Sequence, residues 1–75
     1  MSRLFFDIVG PNVRQFDFTG TSYAGLEQAR AAAELLSIDL GCAVDTPWLG
    51  AEVQVRDAAG ARLFTCPVPN LHEAA

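Results

Sequence analysis

The hydrophobic pattern of this chain changes period twice, from two residues to about 3.6 and back to two, and that sequence of periods restricts its fold more than any other feature. Residues 3–9, Arg3-Leu4-Phe5-Phe6-Asp7-Ile8-Val9, are rich in aromatic and β-branched side chains. Leu4, Phe6 and Ile8 share one side while Phe5 and Val9 add apolar groups to the other, which predicts a central strand. Gly10-Pro11-Asn12-Val13 predicts a tight turn, because Pro11 presets φ at its second position and Asn12 tolerates the left-handed conformation at its third. Val13 to Phe18 then predicts the return strand, with Phe16 and Phe18 together on one face. From Leu26 the spacing is helical. Leu26, Ala29, Ala33, Leu36 and Leu40 recur at steps of three and four and form a stripe for a core. Thr21 or Ser22 is the expected N-cap and Gly41 the expected residue just past the end, giving a helix over 22–40.

Ala51 to Asp57 alternates again, with Val53 and Val55 set against Glu52, Gln54 and Arg56. Asp57-Ala58-Ala59-Gly60 fits a hairpin turn with Gly60 in the left-handed position. Arg62 to Val68 returns, turning Phe64, Cys66 and Val68 inward. Pro67 and Pro69 cannot donate to a ladder, so this last strand belongs at an edge. The order is ββαββ in a single α+β domain over 1–75: hairpin 3–18, helix 22–40, hairpin 51–68 and tail 69–75. One helix covers one face of a four-stranded antiparallel sheet. Strand order 2-1-3-4 keeps the first strand central and the fourth at an edge, whereas 1-2-4-3 would bury the proline-bearing strand.

A chain of 75 residues has a thin core, burying only about 60% of the surface its unfolded form exposes. With two cysteines, Cys42 and Cys66, it lacks the density of a disulfide scaffold, and free thiols in a reducing cytoplasm are expected. The route left for extra stability is self-association, for which a 51% hydrophobic content supplies surface.

The formal net charge is −4, and the five basic residues, Arg3, Arg14, Arg30, Arg56 and Arg62, are scattered along the chain. Nucleic-acid binding draws most of its affinity from clustered cations, so neither nucleic acid nor an anionic membrane surface is an expected partner. Asp7 and the Gly10-Pro11-Asn12 turn interrupt the first apolar run far short of a signal sequence, and no segment is long enough to span a bilayer. A cytoplasmic location follows as the expectation.

Catalytic chemistry finds little to work with. The single histidine, His72, lies beyond Pro69 in the tail, where a base would not be held rigidly. Cys66 faces the core by strand parity, and Cys42 sits at a helix C-terminus, where the dipole disfavours a thiolate. Asp7 and Asp17 lie on the sheet face away from the helix with Arg3, Glu52 and Arg56, where cross-strand charge pairs account for them. No close-spaced metal ligands and no phosphate loop are present, so neither a metal nor a cofactor is expected, and the chain reads as no enzyme.

The anomaly is apolar. Ala24, Ala31, Leu35 and Ile38 form a second stripe on the helix, away from the core stripe. Either the Val44-to-Leu49 loop folds back over it with Trp48 as a lid, or it is an exposed contact surface. Phe5, Val13 and Leu63 pose the same question on the outer sheet face. Leu35, Ile38, Trp48, Phe5 and Leu63 are therefore the candidate interface residues.

Phe5-Phe6-Asp7, the Ala29-to-Leu36 helix segment and Val53-x-Val55-x-Asp57-x-x-Gly60-x-x-Leu63 together resemble a family of small bacterial domains of unknown function. The resemblance implies the fold and a bacterial setting, and it brings no activity. Gly20-Thr21-x-x-x-x-x-Glu27-x-Ala29, followed by an Ala/Leu helix, is also similar to the HicB-type antitoxins; the family's Glu-Ala pair is spaced here as Glu27-Gln28-Ala29 and its proline segment is missing. The leading expectation is a non-enzymatic interaction or regulatory domain, a homodimer. An antitoxin-like neutraliser of a partner protein and a small enzyme with a site between subunits are the alternatives.

Overall fold

In a computed structural model, residues 2–42 and 48–69 are described. The elements are β1 (Ser2–Gly10), β2 (Val13–Gln15), β3 (Thr21–Tyr23), α1 (Leu26–Cys42), β4 (Glu52–Asp57) and β5 (Arg62–Pro67). They form an α+β domain with an open antiparallel sheet in the order β2-β1-β4-β5, to which β3 adds itself along β1. Four strands in the order 2-1-3-4 were expected; the sheet has five, because the return strand is broken into β2 and β3, both paired with β1, while the proline-bearing β5 lies at the edge as expected. The core is built from Leu4 and Ile8 of β1, Ala29 and Ala33 of α1, Val53 and Val55 of β4, and Ala51, Cys66 and Val68. Even-numbered residues of β1 meet odd-numbered residues of β4, Phe6 opposite Val55 and Ile8 opposite Val53, so one sheet face packs under the helix and the other stays open.

The second hairpin forms as its residues suggest. Gly60 has a φ of 92°. Its N–H donates to the Asp57 carbonyl at 3.0 Å, and Asp57 Oδ1 accepts the N–H groups of Ala59 and Ala61 at 3.0 and 2.9 Å. One irregularity follows. The register passes from Val55 opposite Phe64 to Arg56 opposite Arg62, so Leu63 is the extra residue of a β-bulge.

The first hairpin departs from expectation. Its turn closes through Pro11 and Asn12, with Gly10 opposite Val13, but Asn12 keeps a negative φ. The return strand does not run to Phe18. It stops at Gln15 and resumes at Thr21. Between the Ile8–Gln15 and Leu4–Thr21 pairs, residues 16–20 stand where three residues would match residues 5–7 of β1, so the edge carries a two-residue bulge. Thr21 to Tyr23, expected to open the helix, pairs instead with Leu4 to Ser2, and the Tyr23 ring stacks on Phe6 with centroids 5.6 Å apart. A β-branched residue and an aromatic beside an unpaired length of β1 gain more from the sheet than from a helical turn.

The helix consequently begins at Leu26. Gly25 is its N-cap, with its carbonyl accepting the Ala29 N–H at 3.4 Å, and Gln28 reaches back to the Ala24 N–H at 3.2 Å, a partial capping box. The stripe of Ala29, Ala33, Leu36 and Leu40 packs on the sheet, while Leu26 at its head is exposed. Gly41 does not end the helix. It lies within the last turn, buried, where a Cβ would collide with the Pro69 carbonyl. Close approach of the chain after β5, rather than a left-handed cap, is what requires glycine here.

Among the described residues no helix is long and apolar enough to cross a membrane. The tail from Asn70, including His72, lies outside the described residues, as do residues 43–47 of the loop expected to cover the helix.

Candidate functional site

The bulge at 16–20 is organised around one side chain. Asp17 Oδ1 accepts the N–H groups of Thr19 at 3.1 Å and Gly20 at 2.9 Å. Its Oδ2 accepts the Phe6 N–H at 3.2 Å, standing in for the carbonyl that an unbroken strand would have offered β1. The Asp17 N–H donates to Asp7 Oδ1 at 2.9 Å, and the Asp17 carbonyl accepts Arg56 Nη2 at 2.9 Å. Burial alone would raise the Asp17 pKa; the N–H groups of Gly20, Phe6 and Thr19 and the nearby Arg56 charge outweigh it and hold the carboxyl below its ordinary value. Gly20 completes the turn with a φ of 74°, and a Cβ there would lie 2.8 Å from the Phe5 ring.

Behind the bulge sits an ion pair. Asp7, 4% exposed, accepts Arg56 Nε at 2.7 Å across β1 and β4. The Arg56 guanidinium also lies 4.6 Å from the centre of the Phe5 ring. The wet-face charge pair expected for Asp7 is present, but Asp7 is buried and Arg56 links it to the bulge. Both carboxylates are engaged in holding the fold.

The outcome of this bonding is exposure. Phe16 and Phe18, expected together on one face of the return strand, stand outside any strand and are 49% and 87% exposed. They border an open cleft of about 500 Å³ on the helix-free face, lined also by Gln54, Arg56, Gly60 and Arg62. Phe16 and Phe18 also flank a second cleft of about 390 Å³ with Phe6, Ile8 and Gln15. The strand registers place Arg3, Arg14, Arg56 and Arg62 on this same helix-free face. The arginines are scattered in sequence but gathered by the fold, and Asp7 and Glu52 on that face offset part of their charge. Arg3 is also tied down, donating to the Thr19 carbonyl at 2.7 Å.

The residues singled out from sequence do not converge. Leu35 and Ile38 are 65% and 46% exposed on the outer side of α1. Ala24, placed in the same stripe, lies before the helix begins. Trp48 is half-buried and packs against the core cluster. Phe5 is half-buried beneath Arg56. Val13, expected on the outer face, packs against the core, because its partner Gly10 shares the parity of Leu4 and Ile8. Leu63, displaced by the β5 bulge, turns to the helix side and shares a cleft with Leu4, Tyr23 and Leu26. The site that sequence reasoning missed is Phe16 with Phe18. Its signal was Asp17-x-x-Gly20, an aspartate followed at three residues by glycine.

Cys42 and Cys66 are free thiols, the first exposed and the second buried. Burial and the Glu34 charge push the Cys66 thiol up against the opposing pull of Arg30, away from a reactive thiolate. Among the described residues no group of three or more His, Cys, Asp or Glu side chains is placed to hold a metal ion.

Comparison with curated proteins yields no match. Comparison with solved structures yields none either. Residues 3–69, nearly all of the described chain, match the family model described as Domain of unknown function (DUF6894), and the chain belongs to that family.

Proposed function

We propose that this is a non-enzymatic protein-interaction domain that self-associates through the Phe16–Phe18 bulge. One observation carries the reading: two phenylalanines are held out in water by a turn whose polar groups are bonded back to the sheet. A mobile loop could fold its aromatics inward; a pinned one presents them. Rigid, exposed aromatics bind at low entropic cost and are the usual anchors of an interface.

The occupant is a second copy. A two-fold contact needs a patch that is its own complement. Here the projecting ring of Phe18 stands beside an open cleft lined by Phe16 and by the Arg56 and Arg62 side chains, which suit an aromatic ring inserted from a partner. Knob and hole lie on one surface. Two free thiols accord with a reducing cytoplasm, which is where we place the domain, and the family resemblance points to a bacterial one.

Sedimentation velocity at about 100 µM, where a complex of micromolar Kd is largely assembled, is the test. The wild-type chain is expected as a dimer and Phe16→Ser/Phe18→Ser as a folded monomer, its circular dichroism unchanged. A monomeric wild type, or a double variant that still dimerises, overturns the reading.

A further inference from the structure

A second surface, on the other side of the sheet and independent of the bulge, carries its own assignment. We infer that the outer face of α1 is the seat of a basic amphipathic helix from another protein. At 100° per residue, the side of the helix opposite Ala29, Ala33 and Leu40 is occupied by Ala31, Leu35, Ile38 and Cys42, all exposed. A water-facing helix surface is ordinarily polar; a helix apolar on both sides is covered on both. The steps between these residues are four, three and four, which is the spacing of a seam that packs against another helix.

What flanks the seam selects the occupant. Glu27 and Glu34 run along one side and Asp39 stands on the other. The last turn holds no basic residue, so Asp39 adds to the negative end of the helix dipole instead of offsetting it. Arg30, the single cation of the helix, is turned toward β5, its guanidinium 4.5 Å from the centre of the Phe64 ring. The outer face is thus an apolar stripe between acidic borders. Pairing it with the same face of a second copy would set acid against acid whether the helices ran parallel or antiparallel. A helix with apolar residues at the same spacing and Lys or Arg beside them meets both features at once.

Two labelled heptad-repeat peptides test this, identical along the apolar seam but flanked by Lys in one and Glu in the other, with binding read by fluorescence anisotropy. The Lys-flanked peptide is expected to bind and the Glu-flanked peptide to fail. Leu35→Ser/Ile38→Ser, exposed positions at which the fold is expected to persist by circular dichroism, weakens the Lys-flanked peptide about tenfold or more. Glu34→Lys also weakens it, whereas Glu52→Lys, the same change in net charge on the helix-free sheet face, leaves it unaltered. Equal binding of the two peptides, no binding of either at about 100 µM, or identical behaviour of Glu34→Lys and Glu52→Lys overturns the assignment. Loss of self-association in Leu35→Ser/Ile38→Ser would overturn it too, by making the seam a contact between copies.

Discussion

Asp17-Phe18-Thr19-Gly20 and Asp57-Ala58-Ala59-Gly60 share a pattern, and the chain uses it in two ways. Each aspartate accepts two backbone N–H groups on Oδ1, and each glycine has a positive φ, 74° and 92°. At residues 57–60 the motif reverses the chain, and β5 returns beside β4. At 17–20 the chain has already reversed at Pro11-Asn12, and the same local geometry becomes a blister in a returning edge. The surroundings make the difference. Among the described residues the Asp57 side chain bonds only within its own turn, whereas the Asp17 side chain reaches across to the Phe6 N–H and the Asp17 backbone is held by Asp7 and Arg56. A turn motif states where the backbone bends; the second hydrogen-bonding layer decides what the bend is for.

Deleting each aspartate should separate the two most strongly. Asp17→Ala leaves the Phe6 and Gly20 N–H groups, both in partly buried bonds, without an acceptor. At about 1–3 kcal/mol for each orphaned group, a loss of roughly 3 kcal/mol is expected in urea unfolding. The N–H groups served by Asp57 face water. Water replaces the carboxylate there, and Asp57→Ala should cost about 1 kcal/mol. Equal losses would mean that the cross-strand bonds of Asp17 add nothing to stability.

The glycines extend the same contrast at smaller magnitude. Alanine at either position incurs the left-handed penalty, about 1–2 kcal/mol. At Gly60 nothing lies within 4 Å of the added Cβ, so the penalty stands alone. At Gly20 the methyl group also meets the Phe5 ring and the Arg3 side chain at 2.8 and 2.9 Å. Gly20→Ala should therefore lower the urea midpoint further than Gly60→Ala, and it should change the near-ultraviolet signal of the aromatics, which Gly60→Ala leaves alone.

The two turns also differ in how legible they are in the sequence. Periodicity located the core stripe of α1, the inward residues of β4 and β5 and the edge position of Pro67, because burial on one face imposes its period on the residues. The 57–60 turn was readable because it falls between two alternating runs. At 16–18 the cues conflicted: Phe16 and Phe18 alternate as a strand should, while Asp17 and Gly20 carry a turn. The alternation predicts a strand and the turn prevails, because its bonds reach β1 through a side chain, a partnership no local pattern displays. Thr21 to Tyr23 was lost to the helix for the same reason. Once the bulge consumes five residues, the next three fall opposite Ser2 to Leu4, a register that can be counted only after the bulge is known. Asp7 reads from sequence as one of several cross-strand charges on a wet face; its burial against the half-buried Arg56 and its bond to the bulge are not legible there.

The smallest expected effect is on the acid limb of stability. The Asp17 carboxyl titrates below its ordinary value in the folded chain, so unfolding takes up protons as the pH falls. The sign follows: the contribution is complete above the unfolded value, near 3.8, and is lost as the pH drops through the lower folded value. Protonation is gentler than deletion, since a neutral carboxyl keeps an acceptor oxygen for part of the network. Urea midpoints measured between about pH 5 and pH 2 should fall more steeply for the wild-type chain than for Asp17→Asn, which begins less stable and has no charge there to lose. Parallel curves would show that the charge on Asp17, as distinct from its shape, does not hold the bulge closed, and the contrast with Asp57 would then rest on hydrogen-bond geometry alone.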